Sequence, residues 1–164
     1  MASGNTLAIW GAYANQPPSS NFAQLDAFNQ HPCLAFDAST NWSAVFGGVL
    51  NRAYAGGGVT VTLWYTMTSA TSGNVGFQGA FERFNSATTD LTSDSFASSP
   101  GTVSSAVPGT AGIVKSLALT FTDGSQMNSL AVGEGFRLKI TRDVTVSSNA
   151  TGNARLLRCE LKET

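Results

Sequence analysis

Charge is what this sequence has least of. Lys, Arg, Asp and Glu make up 12% of the 164 residues, about half the usual ~25%. The signs nearly cancel, with nine basic and ten acidic residues and a formal net charge of −1. Scattered basic residues without a patch or stripe give no electrostatic grip on nucleic acid, so no nucleic-acid partner is expected. Long hydrophobic runs are missing too. None approaches the ~20 apolar residues of a membrane-spanning helix, which removes a membrane from the expected partners. The opening stretch MASGNTLAIWGAYANQPP has neither the basic nor the apolar region of a secretion signal, and the mature protein is expected to begin near Met1. Cysteine occurs twice, as Cys33 and Cys159, too few and too far apart for a disulfide framework. Two free buried thiols are the expectation, with a bond between an early strand and the last one left open. Histidine occurs once, as His31.

What the sequence does have is glycine (17 residues), 42% hydrophobic residues and 10% aromatics, too much apolar material for a disordered chain. A chain of this length buries roughly two-thirds of its unfolded surface and supports one core. The apolar pattern repeats every two residues. In VTVTLWYTM, Val59, Val61, Leu63, Tyr65 and Met67 share one face, and Thr60, Thr62, Trp64 and Thr66 share the other, the mark of a half-buried strand. IVKSLALTF puts Ile113, Leu117, Leu119 and Phe121 on one face, FRLKITRD does so with Phe136, Leu138 and Ile140, and NARLLRCEL with Leu157, Cys159 and Leu161. Weaker strands fall near residues 6–13, 33–36, 42–50 and 75–84, and a less regular pair near 92–97 and 102–107. Gly, Pro and Asn/Asp clusters separate these runs at short intervals. The expected fold is all-β, an antiparallel β-sandwich or jelly roll of about eight to ten strands, with at most one short helical turn near 125–131. Residues 31–164 read as a single jelly-roll domain and residues 1–30 as an N-terminal arm or edge segment.

Catalytic chemistry finds little support. His31, beside Pro32 in a loop-like stretch, is the only candidate base near neutral pKa, and no G-x-S-x-G elbow accompanies it. His31 and Cys33 fall on one face if extended, but no third metal ligand accompanies them. The acidic residues lie mostly in turns or at strand ends, where Asp binds backbone amides. Asp90 and Asp94 together fall short of the six to eight oxygens that calcium takes. The glycines at 56–58 lack the following Lys-Ser/Thr of a phosphate cradle. No catalytic residue, metal site or cofactor is expected.

Aromatics carry more. Trp42 shares a strand face with Phe46 and is expected in the core. Trp64 sits on the threonine face of its strand, where a second layer, a partner or a ligand should cover it. Trp10, Tyr13, Phe22 and Phe28 stand among Pro, Asn and Gln in the first 30 residues. Trp10, Tyr13, Phe22, Phe28 and Trp64 are the candidate interface residues. Exposed aromatics on a β-sandwich either centre a subunit interface or stack on sugars.

One further pattern runs through HPCLAFDASTNWSAVFGGVLNRAYAGGGVTVTLWYTMTSATSGNVGFQGAFERF and SLAVGEGFRLKITRDV. One strand ends in Phe36-Asp37, another at Arg52-x-Tyr54, a glycine run opens a Val/Thr strand followed by TSGNV, and a glycine turn feeds a strand ending in Arg142-Asp143. Over roughly residues 31–163 this resembles small jelly-roll virion proteins of tailed bacteriophages, most of all capsid decoration (cement) proteins. The resemblance implies a non-enzymatic homotrimer on the capsid exterior, bound to the major capsid protein and stabilising the head. A tail or head-fibre component, or a carbohydrate-binding β-sandwich module, fits the same strands.

Overall fold

Strands that alternate at period two bury one face each, and two such sheets close a core between them. The computed structural model describes residues 4–164. Its strands are β1 (Thr6–Gly11), β2 (Gln24–Phe28), β3 (His31–Phe36), β4 (Ser43–Val49), β5 (Val59–Met67), β6 (Asn74–Phe84), β7 (Val103–Ala106), β8 (Lys115–Phe121), β9 (Gly135–Asp143) and β10 (Ala154–Glu163). The helical pieces among the described residues are two 3-10 turns, Ser125–Met127 within the expected stretch and Ala12–Ala14. The fold is the antiparallel β-sandwich that the periodicity implies. One sheet runs β2-β3-β10-β5-β8 with β1 also on β10, and the other runs β4-β9-β6-β7.

Between the sheets lie Val59, Val61, Leu63, Tyr65 and Met67 of β5, Leu117, Leu119 and Phe121 of β8, and Phe136, Leu138 and Ile140 of β9, all buried. Each such side chain contributes about 1.5–3 kcal/mol by leaving water. Ring pairs cross the layers edge to face, Phe81 on Phe121 at 5.0 Å and Phe36 on Phe77 at 5.4 Å. Cys33 and Cys159 are buried and unbonded.

The strand alternation misplaces three segments. Ile113 is exposed, because β8 begins only at Lys115 and residues 109–112 turn into it, with Gly112 at φ +85°. Residues 92–97 form no strand. Asp90 binds the amide and hydroxyl of Thr92 there, and the segment is held by Phe96, whose ring lies 4.5 Å from Lys139 Nζ and 5.2 Å from the Arg137 guanidinium. Leu157 does not point inward, for a reason that makes the site described below.

The first 30 residues follow both sheets. β1 pairs with β10, Trp10 opposite Cys159. The chain then touches β4 through bridges from Asn15 to Phe46 and Phe22 to Ser43, and returns as the hairpin β2-β3. Residues 1–3 of the expected arm lie outside the described residues.

Candidate binding cleft on the first sheet

β10 changes partner along its length. Residues 154–156 pair with β3, and residues 158–162 pair with β1. On its other side β5 runs past both, and the ladder slips there: Leu156 faces Tyr65, Arg158 faces Trp64, and Leu157 is the extra residue between them. A β-bulge of this kind puts two residues opposite one and re-aims a side chain. Leu156 keeps its place in the core, while Leu157 is half-buried beside Trp64. Strict alternation assigns Leu157 inward; the bulge overturns that.

The handover leaves a cleft of about 640 Å³ lined by Ile9, His31, Pro32, Trp64, Leu157, Arg158 and Glu160. Its walls are mostly apolar, and its polar groups are few. Glu160 accepts a hydrogen bond from the Thr6 hydroxyl. Arg158 is exposed and forms no ion pair among the described residues. His31 opens β3, with Nδ1 2.8 Å from the Asn29 carbonyl oxygen. A carbonyl only accepts, so Nδ1 carries the hydrogen and the neutral ring leaves Nε2 as an acceptor.

One wall is built by the β2-β3 turn. Asn29 and Gln30 both have positive φ, +44° and +67°, the pattern of a two-residue type I′ hairpin, in which glycine is favoured at the second position. Before the turn, the Phe28 ring carries the Arg155 guanidinium at 4.7 Å, and Arg155 Nη2 donates to Asp26 Oδ2 at 3.0 Å. The Ala27 amide and then Arg155 hold the Asp26 carboxyl below the usual carboxylate range. A smaller hollow of about 150 Å³ lies next to the cleft, sharing His31 and Leu157 with it and adding Phe28, Asn29, Thr66, Gly112 and Val114.

The five candidate aromatics therefore separate. Trp64 and Phe28, 36 positions apart, line adjoining hollows. Tyr13 and Phe22 are exposed elsewhere on the chain. Trp10 is a core residue and no surface candidate. It stacks on Phe46 at 5.7 Å, meets Phe136 edge-on and donates from Nε1 to the Gly47 carbonyl at 3.0 Å. The sequence reading did not bring Arg158 and Glu160 to Trp64. Their outward direction follows from the alternation around Cys159 and Leu161, but their neighbour across the ladder does not.

Three aspartates act as turn formers. Asp37, Asp90 and Asp143 each accept from the amide and hydroxyl of the residue two positions on, Ser39, Thr92 and Thr145. These hydroxyls and amides, with the Thr102 hydroxyl on Asp143 the strongest there, lower all three carboxyls. No group of three or more His, Cys, Asp or Glu side chains is placed to hold a metal among the described residues.

Fold and cleft together define a class, an all-β jelly roll with an apolar, tryptophan-bearing cleft on the outer face of one sheet. No family model matches the chain, and no curated protein matches it in sequence. Solved structures do match in fold. One is a family 35 carbohydrate binding module from an environmental isolate, at 8% identity over 94% of this chain and 92% of that one, TM-score 0.54. Another is the CBM22-2 xylan-binding domain of Xyn10C from Paenibacillus barcinonensis, at 14% identity over 92% of each chain, TM-score 0.53. At these identities the likeness is one of fold.

Proposed function

We propose that the protein is a non-catalytic binding module whose Trp64 cleft takes a carbohydrate. The observation that carries this reading is the cleft itself. An indole on an open sheet face offers an apolar surface to the C–H face of a sugar ring, and the cross-strand Arg158 and nearby Glu160 offer a donor fork and an acceptor for its hydroxyls. The fold shared with carbohydrate binding modules supports it. Glycan-array screening followed by calorimetry tests the reading. Wild type should bind at least one glycan, and Trp64→Ala should weaken that binding by about tenfold or more with the fold intact. No glycan bound, or binding indifferent to Trp64→Ala, contradicts it.

A second reading rests on the resemblance of the Phe36-Asp37, Arg52-x-Tyr54 and Arg142-Asp143 stretches to tailed-phage jelly-roll proteins. In it the chain is a structural component of a virion, either a capsid decoration protein, trimeric on the major capsid lattice, or a tail or head-fibre component. Ile9, Leu25, Ile113 and Val114, all exposed on strands of the first sheet or the turn into β8, are side chains that a neighbouring subunit would cover. Solution mass and rebinding to stripped capsids decide for the decoration form; a monomer that ignores capsids contradicts it.

A further inference from the structure

The Trp64 cleft continues past Leu157. His31 and Leu157 wall both this cleft and the smaller hollow, in which Thr66 and the Phe28 ring lie. Trp64 and Thr66 are two residues apart on one strand face, about 6.6 Å along β5, a step comparable with the advance of one sugar residue in an extended glycan. Thr66 is only 1% exposed, yet its Oγ1 has no hydrogen-bond partner among the described residues. Two other threonines of the same outward row are supplied: Thr60 Oγ1 meets Thr164 Oγ1 at 3.2 Å. Thr68 Oγ1 donates to the Asn153 carbonyl at 3.0 Å. A buried hydroxyl left unpaired costs stability unless something else completes it. The charges are also distributed unevenly. Arg158 and Glu160 offset each other at the Trp64 end, and among the described residues His31 is the one titratable group lining the other.

We propose that the two hollows are adjacent subsites for one neutral, extended oligosaccharide, with Trp64 under the first sugar and the Thr66 hydroxyl bonded to an oxygen of the next. The inference rests on the carbohydrate reading above. Arg158 and Glu160 cancel in the first subsite and no Lys, Arg, Asp or Glu lines the second, which is why a neutral chain is assigned. Calorimetry on the full chain tests it with glucose, xylose and mannose, their disaccharides and tetrasaccharides, and oligogalacturonates as the acidic arm. In at least one neutral series the disaccharide should bind about tenfold more tightly than the monosaccharide. Thr66→Val should lose that increment, keep the monosaccharide affinity and melt no lower than wild type; Phe28→Ala should also lose the increment. Equal affinity for monomer and oligomer, an increment untouched by both variants, or preference for the acidic series overturns the two-subsite inference while Trp64→Ala still reports on the first subsite. Failure of every sugar to bind overturns the carbohydrate reading and this inference together.

Discussion

Arg142, in β9, and Arg158, in β10, stand in opposite circumstances. Arg142 is fully buried. Its Nη1 donates to the carbonyls of Phe36 at 3.2 Å and Gly152 at 2.9 Å, and its Nη2 donates to the Ala150 carbonyl at 2.9 Å and to Asn149 Oδ1 at 3.4 Å. Burial pulls its pKa down, and the nearby Asp37 partly offsets that. Arg158 is exposed beside Trp64 and has no ion-pair partner among the described residues. One guanidinium ties the end of β3 and the loop before β10 to β9; the other is free to donate to something from outside. The first side chain bears on the stability of the fold, and the second belongs to the cleft proposed above as a recognition surface.

Truncating the buried arginine should have the largest effect. Arg142→Ala removes hydrogen bonds to three backbone carbonyls and opens a cavity, at a cost of about 3–5 kcal/mol. A fall of ~10 °C in melting temperature is expected, and a variant that melts like wild type breaks the comparison from the stability side. Trp64→Ala is its counterpart. The indole is only half-buried on the outer face, so the melting temperature should move by only a few degrees while glycan affinity falls by about tenfold or more. A collapse of the fold on that substitution would mean that Trp64 is structural.

Acid sharpens the contrast further. Asp37 and Asp143 have carboxyls lowered by the hydroxyls and amides they accept from. A carboxyl lowered on folding stabilises fully above its unfolded value of about 4 and loses that contribution as the pH falls through the folded value. Melting curves should therefore shift down on acidification below about pH 4, and Asp37→Asn with Asp143→Asn should flatten that shift. The smallest expected effect lies at the cleft wall. Gln30 sits at φ +67° where a type I′ turn favours glycine, and Gln30→Gly should stabilise by about 0.5–1 kcal/mol net of glycine's entropy. A loss of stability there would mean that the glutamine side chain holds the turn.

The stability side of the molecule was legible in residue order, and the recognition side was legible only in part. Period two places Val59, Val61, Leu63, Tyr65 and Met67 correctly because β5 is regular along the core and its pleat decides which way each side chain points. The turn aspartates follow from local chemistry within two residues. Leu157 fails because one inserted residue breaks the alternation that Cys159 and Leu161 keep, and nothing in ARLLRCEL marks where the ladder slips. Trp10 fails for a different reason: Pro17, Pro18 and the polar residues around it suggest a loose arm, while the side chain stacks on Phe46, 36 positions away. Trp64 was identifiable as an aromatic in need of a cover, but its partners come from β1, β3 and β10, and only the sheet order brings those together.

The most direct measurement is amide and indole chemical-shift mapping of the full chain on addition of a glycan that it binds. The account predicts that shifts concentrate at Trp64, Leu157, Arg158, Glu160 and His31, extend to Thr66 and Phe28 with a disaccharide, and leave the Arg142 carbonyl partners at residues 150–152 unmoved. Shifts gathered around Tyr54 and Asp123 at the 54–56 and 123–132 loops, with Trp64 unchanged, would contradict it.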